Sequence, residues 1–144
     1  MGVDLNSPTA PLTILETVLY ARDLAAIEAF YRRVLGLEPF AAAAGRHVFY
    51  KCGKQMLLIF KPIVTCRVPA PGALPVQAHG AEGQGHVCFG AASDEITQWR
   101  SKLNTLGIAI EADFTWPGGG RSIYFRDPAG NCLEFAEPRI LGLE

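Results

Sequence analysis

The sequence lacks a CxxC pair: its four cysteines, Cys52, Cys66, Cys88 and Cys132, are widely spaced. That argues against a disulfide framework. Three of the four sit in or beside apolar strand-like segments, so they read as buried, reduced thiols of a cytosolic protein. An excess of either charge is also missing. Thirteen basic residues stand against fourteen acidic ones, a net charge of −1, which leaves no electrostatic footprint for nucleic acid or an anionic membrane surface. Apolar runs stop short of the roughly 18 residues a spanning helix needs, and the amino terminus has no charged-then-apolar leader, so the expected setting is cytoplasmic.

What the chain does contain is a repeat. Gly45-Arg46-His47-Val48-Phe49-Tyr50-Lys51 is echoed 75 residues later by Gly120-Arg121-Ser122-Ile123-Tyr124-Phe125-Arg126. Upstream, Leu15-Glu16-Thr17-Val18-Leu19 corresponds to Gly85-His86-Val87-Cys88-Phe89, 70 residues on. A duplication at this period implies two copies of one supersecondary unit that bury a shared core together.

Each copy reads as strand, helix and three strands. Leu12 to Tyr20 has a strand pattern; Asp23 caps a helix whose stripe is Leu24, Ile27, Phe30, Tyr31, Val34 and Leu35, and Gly36 ends it. Strands follow at about 37–42, 46–51 and 55–60. A proline- and glycine-rich stretch then links the copies. In the second copy His86 to Gly90 is a strand, and Ser93 or Asp94 caps a helix with the stripe Ile96, Trp99, Leu103 and Leu106. Strands near 108–114, 121–126 and 131–136 complete it, with Gly118-Gly119-Gly120 in a hairpin turn and Asp127-Pro128-Ala129-Gly130 in the last turn.

The expected fold is therefore α+β: two paired βαβββ modules forming an open, curled mixed sheet around a central cavity. The boundaries are a tail at 1–10, one domain at 11–138 (module one 11–62, linker 63–84, module two 85–138) and a tail at 139–144.

Strand alternation sorts the side chains. The apolar faces carry the helices and leave Glu16, His86 and Glu134 on the other face. Four residues beyond Gly130 lies Glu134, and four beyond Gly53 lies Leu57, so symmetry offers four pocket positions: Glu16, Leu57, His86 and Glu134. A carboxylate inside an apolar strand is costly to bury unless it is paired or binds a cation. Three ligand-type groups from separate strands would make a metal site with positions left for water or substrate. Alone, each has a plainer role: His86 as a satisfied strand residue, Glu134 facing water on an edge, and Glu16 paired with Arg46 or Arg121. Tyr20, Leu57, His79, Cys88, Arg121 and Tyr124 are the further candidates for contact with a substrate. His79 would lie at the pocket entrance and Cys88 in its wall.

These residues closely resemble the vicinal oxygen chelate superfamily, which contains glyoxalase I, bleomycin-resistance proteins, fosfomycin-resistance enzymes and extradiol dioxygenases. The resemblance runs over about residues 12–138 and rests on Leu15-Glu16-Thr17-Val18-Leu19, on Asp23-Leu24 leading to Phe30-Tyr31-Arg32-Arg33-Val34-Leu35-Gly36-Leu37, on Gly85-His86-Val87, and on Tyr124-Phe125-Arg126-Asp127-Pro128-Ala129-Gly130-Asn131 running to Leu133-Glu134. It implies one divalent metal per chain on Glu16, His86 and Glu134, chelating vicinal oxygens of a small-molecule substrate. It also implies a homodimer, which would cover exposed sheet edges. The chain departs from glyoxalase I at Leu57, where that enzyme usually supplies a carboxylate, and from extradiol enzymes at Glu16, where they place a histidine.

One imidazole and two carboxylates favour Mn, Ni, Co, Zn or Mg over Fe. The first functional reading is a metal-dependent lyase or isomerase of glyoxalase type, stabilising an enediolate or alkoxide, with Glu134 or Glu16 as base. The alternatives are an extradiol-type ring-cleaving dioxygenase and a non-catalytic drug-binding protein walled by Tyr20, Phe49, Tyr50, Trp116 and Tyr124.

Overall fold

The computed structural model describes residues 10–143. The expected tail at 1–10 lies, but for its last residue, outside them.

The strands form two four-stranded mixed sheets, ordered β1-β4-β3-β2 and β5-β8-β7-β6. The first contains β1 (Glu16–Tyr20), β2 (Pro39–Ala43), β3 (His47–Cys52) and β4 (Gln55–Phe60); the second contains β5 (His86–Gly90), β6 (Ala112–Thr115), β7 (Arg121–Arg126) and β8 (Cys132–Ala136). In each sheet the first strand runs parallel to the last, and the remaining pairs are antiparallel. Helix α1 (Leu24–Phe30) serves the first sheet and α3 (Ser93–Thr105) the second; α2 (Pro62–Thr65) is a single turn in the connecting segment.

Several ends differ from the sequence reading. Strand β1 starts at Glu16 rather than near Leu12, because its partner gives out: Met56 N–H to the Leu15 carbonyl is the last bond, and Leu12, Ile14 and Leu15 are exposed. The Asp23 carboxylate accepts the Ala26 N–H at 3.0 Å, as an N-cap should. From Tyr31 to Leu35 the helix widens into a π turn, which brings both Tyr31 and Val34 fully into the core before Gly36, at φ 68°, ends it. Helix α3 is capped from Ala92, whose N–H donates to the Glu95 carboxylate. The strand expected near 108–114 begins only at Ala112, since Ile108 is tied back to Leu103 at the helix end and packs on the core with Ile110. Pro138–Leu141 forms a 3-10 turn where a tail was expected.

One core serves both modules. Leu19, Tyr31, Val34, Tyr50, Leu57 and Ile59 from the first join Ile96, Leu103, Ile123, Phe125, Leu133 and Phe135 from the second. Burying each such side chain is worth about 1.5–3 kcal/mol. A polar knot fastens the modules. The buried Asp127 carboxylate accepts the Tyr31 hydroxyl at 2.9 Å and the Asn131 side-chain amide at 3.0 Å. Asn131 in turn donates to the Tyr20 carbonyl and accepts the Gly85 N–H. A Cβ at Gly85 would lie 2.9 Å from Leu19 Cδ2 and 3.2 Å from Asn131 Oδ1, so a side chain there would push on both. All four cysteines are free, but Cys66 and Cys88 are exposed rather than buried.

Candidate functional site

Register decides which side chains leave the helix-packed faces. Leu133 pairs with Phe125 and Phe135 with Ile123, and these four are core residues. Cys132, Glu134, Tyr124 and Ser122 therefore point the other way, onto the open face of the second sheet. His86 and Cys88 join them, since they pair with Cys132 and Glu134 across the parallel β5–β8 edge.

In the first sheet, Leu57 pairs with Tyr50 and Ile59 with Val48, again core residues. Leu57, 2% exposed, thus lies on the helix face and not on the open face that carries Glu16. The residue matching Glu134 is Leu58, which pairs with Val18 as Glu134 pairs with Cys88. Counting from the glycines misplaces it because the two turns differ in length. Residues Cys52 and Gln55 close a two-residue hairpin, whereas Arg126 and Cys132 bracket a five-residue connection. Arg121 is also on the helix side, bound to Asp113 at 3.1 Å and to Thr97 Oγ1 on α3 at 2.6 Å. Tyr20, on the open face of β1, meets His79 instead.

The polar centre of the second open face is Glu134. Only 5% exposed, it has Oε2 3.5 Å from His86 Nε2, while Oε1 is buried without a hydrogen-bond partner. His86 Nδ1 lies 2.9 Å from the Cys132 carbonyl. A carbonyl only accepts, so Nδ1 carries the proton and Nε2 is turned toward the carboxylate. Two electron-rich atoms facing at that distance call for a positive charge between them, either a proton on Nε2 or a metal cation. The carbonyl on Nδ1 is the kind of outer contact that orients a metal-binding imidazole. Desolvation by the surrounding sheet, with Glu134 adding, pushes the Cys88 thiol and the Tyr124 phenol each up to about 12. Both stay protonated at neutral pH, so Tyr124 is a neutral donor beside Glu134 and Cys88 is not a ready thiolate.

Glu16 is exposed on β1 of the other sheet. Among the described residues no three His, Cys, Asp or Glu side chains converge on a common metal position, so one chain brings His86 and Glu134 together and leaves Glu16 apart. Sequence reasoning did not single out Ser122, which accepts the Trp116 indole N–H at 2.8 Å and fixes that ring at the site's edge. Its alternation with Tyr124 was the available signal.

Two mixed βαβββ sheets with a histidine–glutamate pair on an open face describe a glyoxalase-type fold, and the chain belongs to the Glyoxalase/Bleomycin resistance protein/Dioxygenase superfamily, whose sequence profile matches residues 13–135. The crystal structure of lactoylglutathione lyase from Agrobacterium tumefaciens is similar at 46% identity and a TM-score of 0.89, over 94% of this chain and all of that one. A glyoxalase/bleomycin resistance protein/dioxygenase from Nocardioides (22% identity, TM-score 0.70, 92% of this chain and 87% of that one) shares the fold. So does a genomically encoded fosfomycin resistance protein from Listeria monocytogenes (19%, TM-score 0.63, 88% and 91%). No curated protein gives a significant match. No described helix is long and apolar enough to cross a membrane.

Proposed function

We propose that the protein is a metal-dependent lyase or isomerase of glyoxalase type, and that its reaction is that of a lactoylglutathione lyase. The observation that carries the reading is the buried Glu134 carboxylate, with one oxygen unpartnered and the other facing an imidazole nitrogen that another contact has oriented. The 46% identity to a protein of that name supports the reaction class.

His86 and Glu134 would hold one divalent ion, of Mn, Ni, Co, Zn, Mg or Fe, with Glu16 as the third ligand. Since Glu16 is not beside them in one chain, a second copy would supply it, and the protein would act as a homodimer. When bound, the ion supplies a Lewis acid for two neighbouring substrate oxygens. Glu134 would take the proton from the carbon beside the carbonyl and return it to the adjacent carbon. Tyr124, uncharged beside Glu134, would donate a hydrogen bond to oxygen as negative charge builds there. Only 5% exposed, the Glu134 carboxylate has little contact with bulk water.

The test has two arms. Metal content is measured on protein purified without chelator, and the hemithioacetal of glutathione and methylglyoxal is offered under each metal in turn. Thioester formation that stops with chelator and returns with metal is expected. Oxygen uptake with a catechol under ferrous iron would instead identify a dioxygenase.

A further inference from the structure

The open face of the first sheet carries a separate constellation. Phe49 on β3 stacks on His47, with ring centroids 4.2 Å apart and planes 15° from parallel. Phe60 on β4 meets Phe49 edge-on at 5.4 Å and His79 at 4.7 Å. Together these rings make an aromatic floor spanning two strands and the linker.

Three donors stand around it. Arg46 Nη1 lies 2.9 Å from His47 Nδ1, and a guanidinium only donates, so Nδ1 is the acceptor and the His47 ring proton sits on Nε2. Partial burial and the Arg46 charge both lower the His47 pKa, so the ring is neutral and keeps that arrangement at pH 7. His79 Nδ1 lies 2.6 Å from the Tyr20 hydroxyl. The phenol can donate to it, which would leave the His79 proton on Nε2. The Arg46 guanidinium lies 5.9 Å from the Phe60 ring centre. It forms no ion pair with any described carboxylate. The patch therefore has an aromatic floor, a guanidinium without an ion pair among the described residues, and two imidazoles at its margin.

We infer that this face binds a planar group bearing a carboxylate, the ring stacking along Phe49 and His47 and the anion meeting Arg46 and the imidazole donors. A flat aromatic acid satisfies both halves of the patch, whereas a neutral aromatic leaves the guanidinium unpaired and an aliphatic acid leaves the floor uncovered. Such an acid is a second ligand that goes beyond the proposed reading, because the hemithioacetal of glutathione carries no aromatic ring.

The probe is 2-naphthoate, compared with its neutral isostere 2-naphthamide and followed by the ring-proton resonances of His47 and His79. Naphthoate should shift both and bind about tenfold or more tightly than the amide. Arg46→Gln should remove that preference and Arg46→Lys should keep part of it, since a point charge replaces the fork. Thermal melts of both variants check folding, and His47→Gln with His79→Gln gives a second route that leaves Arg46 in place. Equal affinity for the two probes, unmoved histidine resonances, or an Arg46→Gln variant that still prefers naphthoate would overturn the inference. Metal content is read on the same samples. Absence of metal with naphthoate still selected would count against the metal reading alone.

Discussion

At the scale of single residues, the proposed chemistry turns on Glu134 as a buried group with an unpartnered oxygen. Glu134→Gln keeps an amide oxygen facing His86 and removes the proton acceptor. Turnover of the hemithioacetal should fall by about 10²–10⁴, the usual size for a lost general base. Metal content, measured on the same protein, should fall far less. A different residue sets an acid limit on stability. Hydrogen bonds from Arg121, with Arg100 adding its charge, hold the Asp113 carboxyl below its ordinary 3.8. A depressed pKa stabilises the fold above the unfolded value and loses that contribution as pH falls through the folded one. In urea melts the wild type should exceed Asp113→Asn by most above about pH 5, and the gap should close as pH drops below 3.8.

At the scale of elements, the β4 register and the inter-module knot each make a claim that substitution reaches. Leu57 faces the helices, so Leu57→Glu puts a carboxylate into the core without adding a ligand. It should destabilise by at least the roughly 2–5 kcal/mol that a buried Leu→Ala costs, with no gain in metal. Leu58→Glu is the change that places a carboxylate at the register position of Glu134, and metal titration should find affinity raised in it. The knot is tested by Tyr31→Phe, which deletes one hydroxyl from the buried Asp127 and leaves the ring stack on Tyr50 in place. Chemical denaturation should show a loss of about 1.5–3 kcal/mol, the range for a hydrogen bond to a charged group.

At the scale of the molecule, the question is where Glu16 acts. If a second copy completes the site, Glu16→Ala and His86→Ala subunits are each inactive, yet a mixed dimer contains one intact site. Unfolding the two variants together and refolding them should restore activity to about a quarter of the wild type, because half the dimers are mixed and each has one working site. No recovery, with mixed dimers verified by mass, would place all ligands in one chain. The exposed Leu12, Ile14 and Leu15 at the entry to β1 lie next to Glu16 in sequence, and a partner there would cover them.

The amino-acid sequence by itself determined the duplicated unit, the order of its elements, and the side of the second sheet from which His86 and Glu134 project. Each of these is local: alternation along one strand, a cap such as Asp23, and turn chemistry such as Asp127-Pro128-Ala129-Gly130 act over a few residues and are legible one segment at a time. Tertiary structure decided what depends on pairing. The two-residue turn at Gly53 and the longer one before Cys132 shift β4 by one position relative to β8, and one position turns a side chain from the open face into the core, as it did Leu57. Arg121 went to the helix side because Asp113 and Thr97 wait for it there, and neither is its neighbour in sequence. The separation of Glu16 from His86 and Glu134 follows from how two sheets dock, a relation among surfaces that no strand pattern encodes.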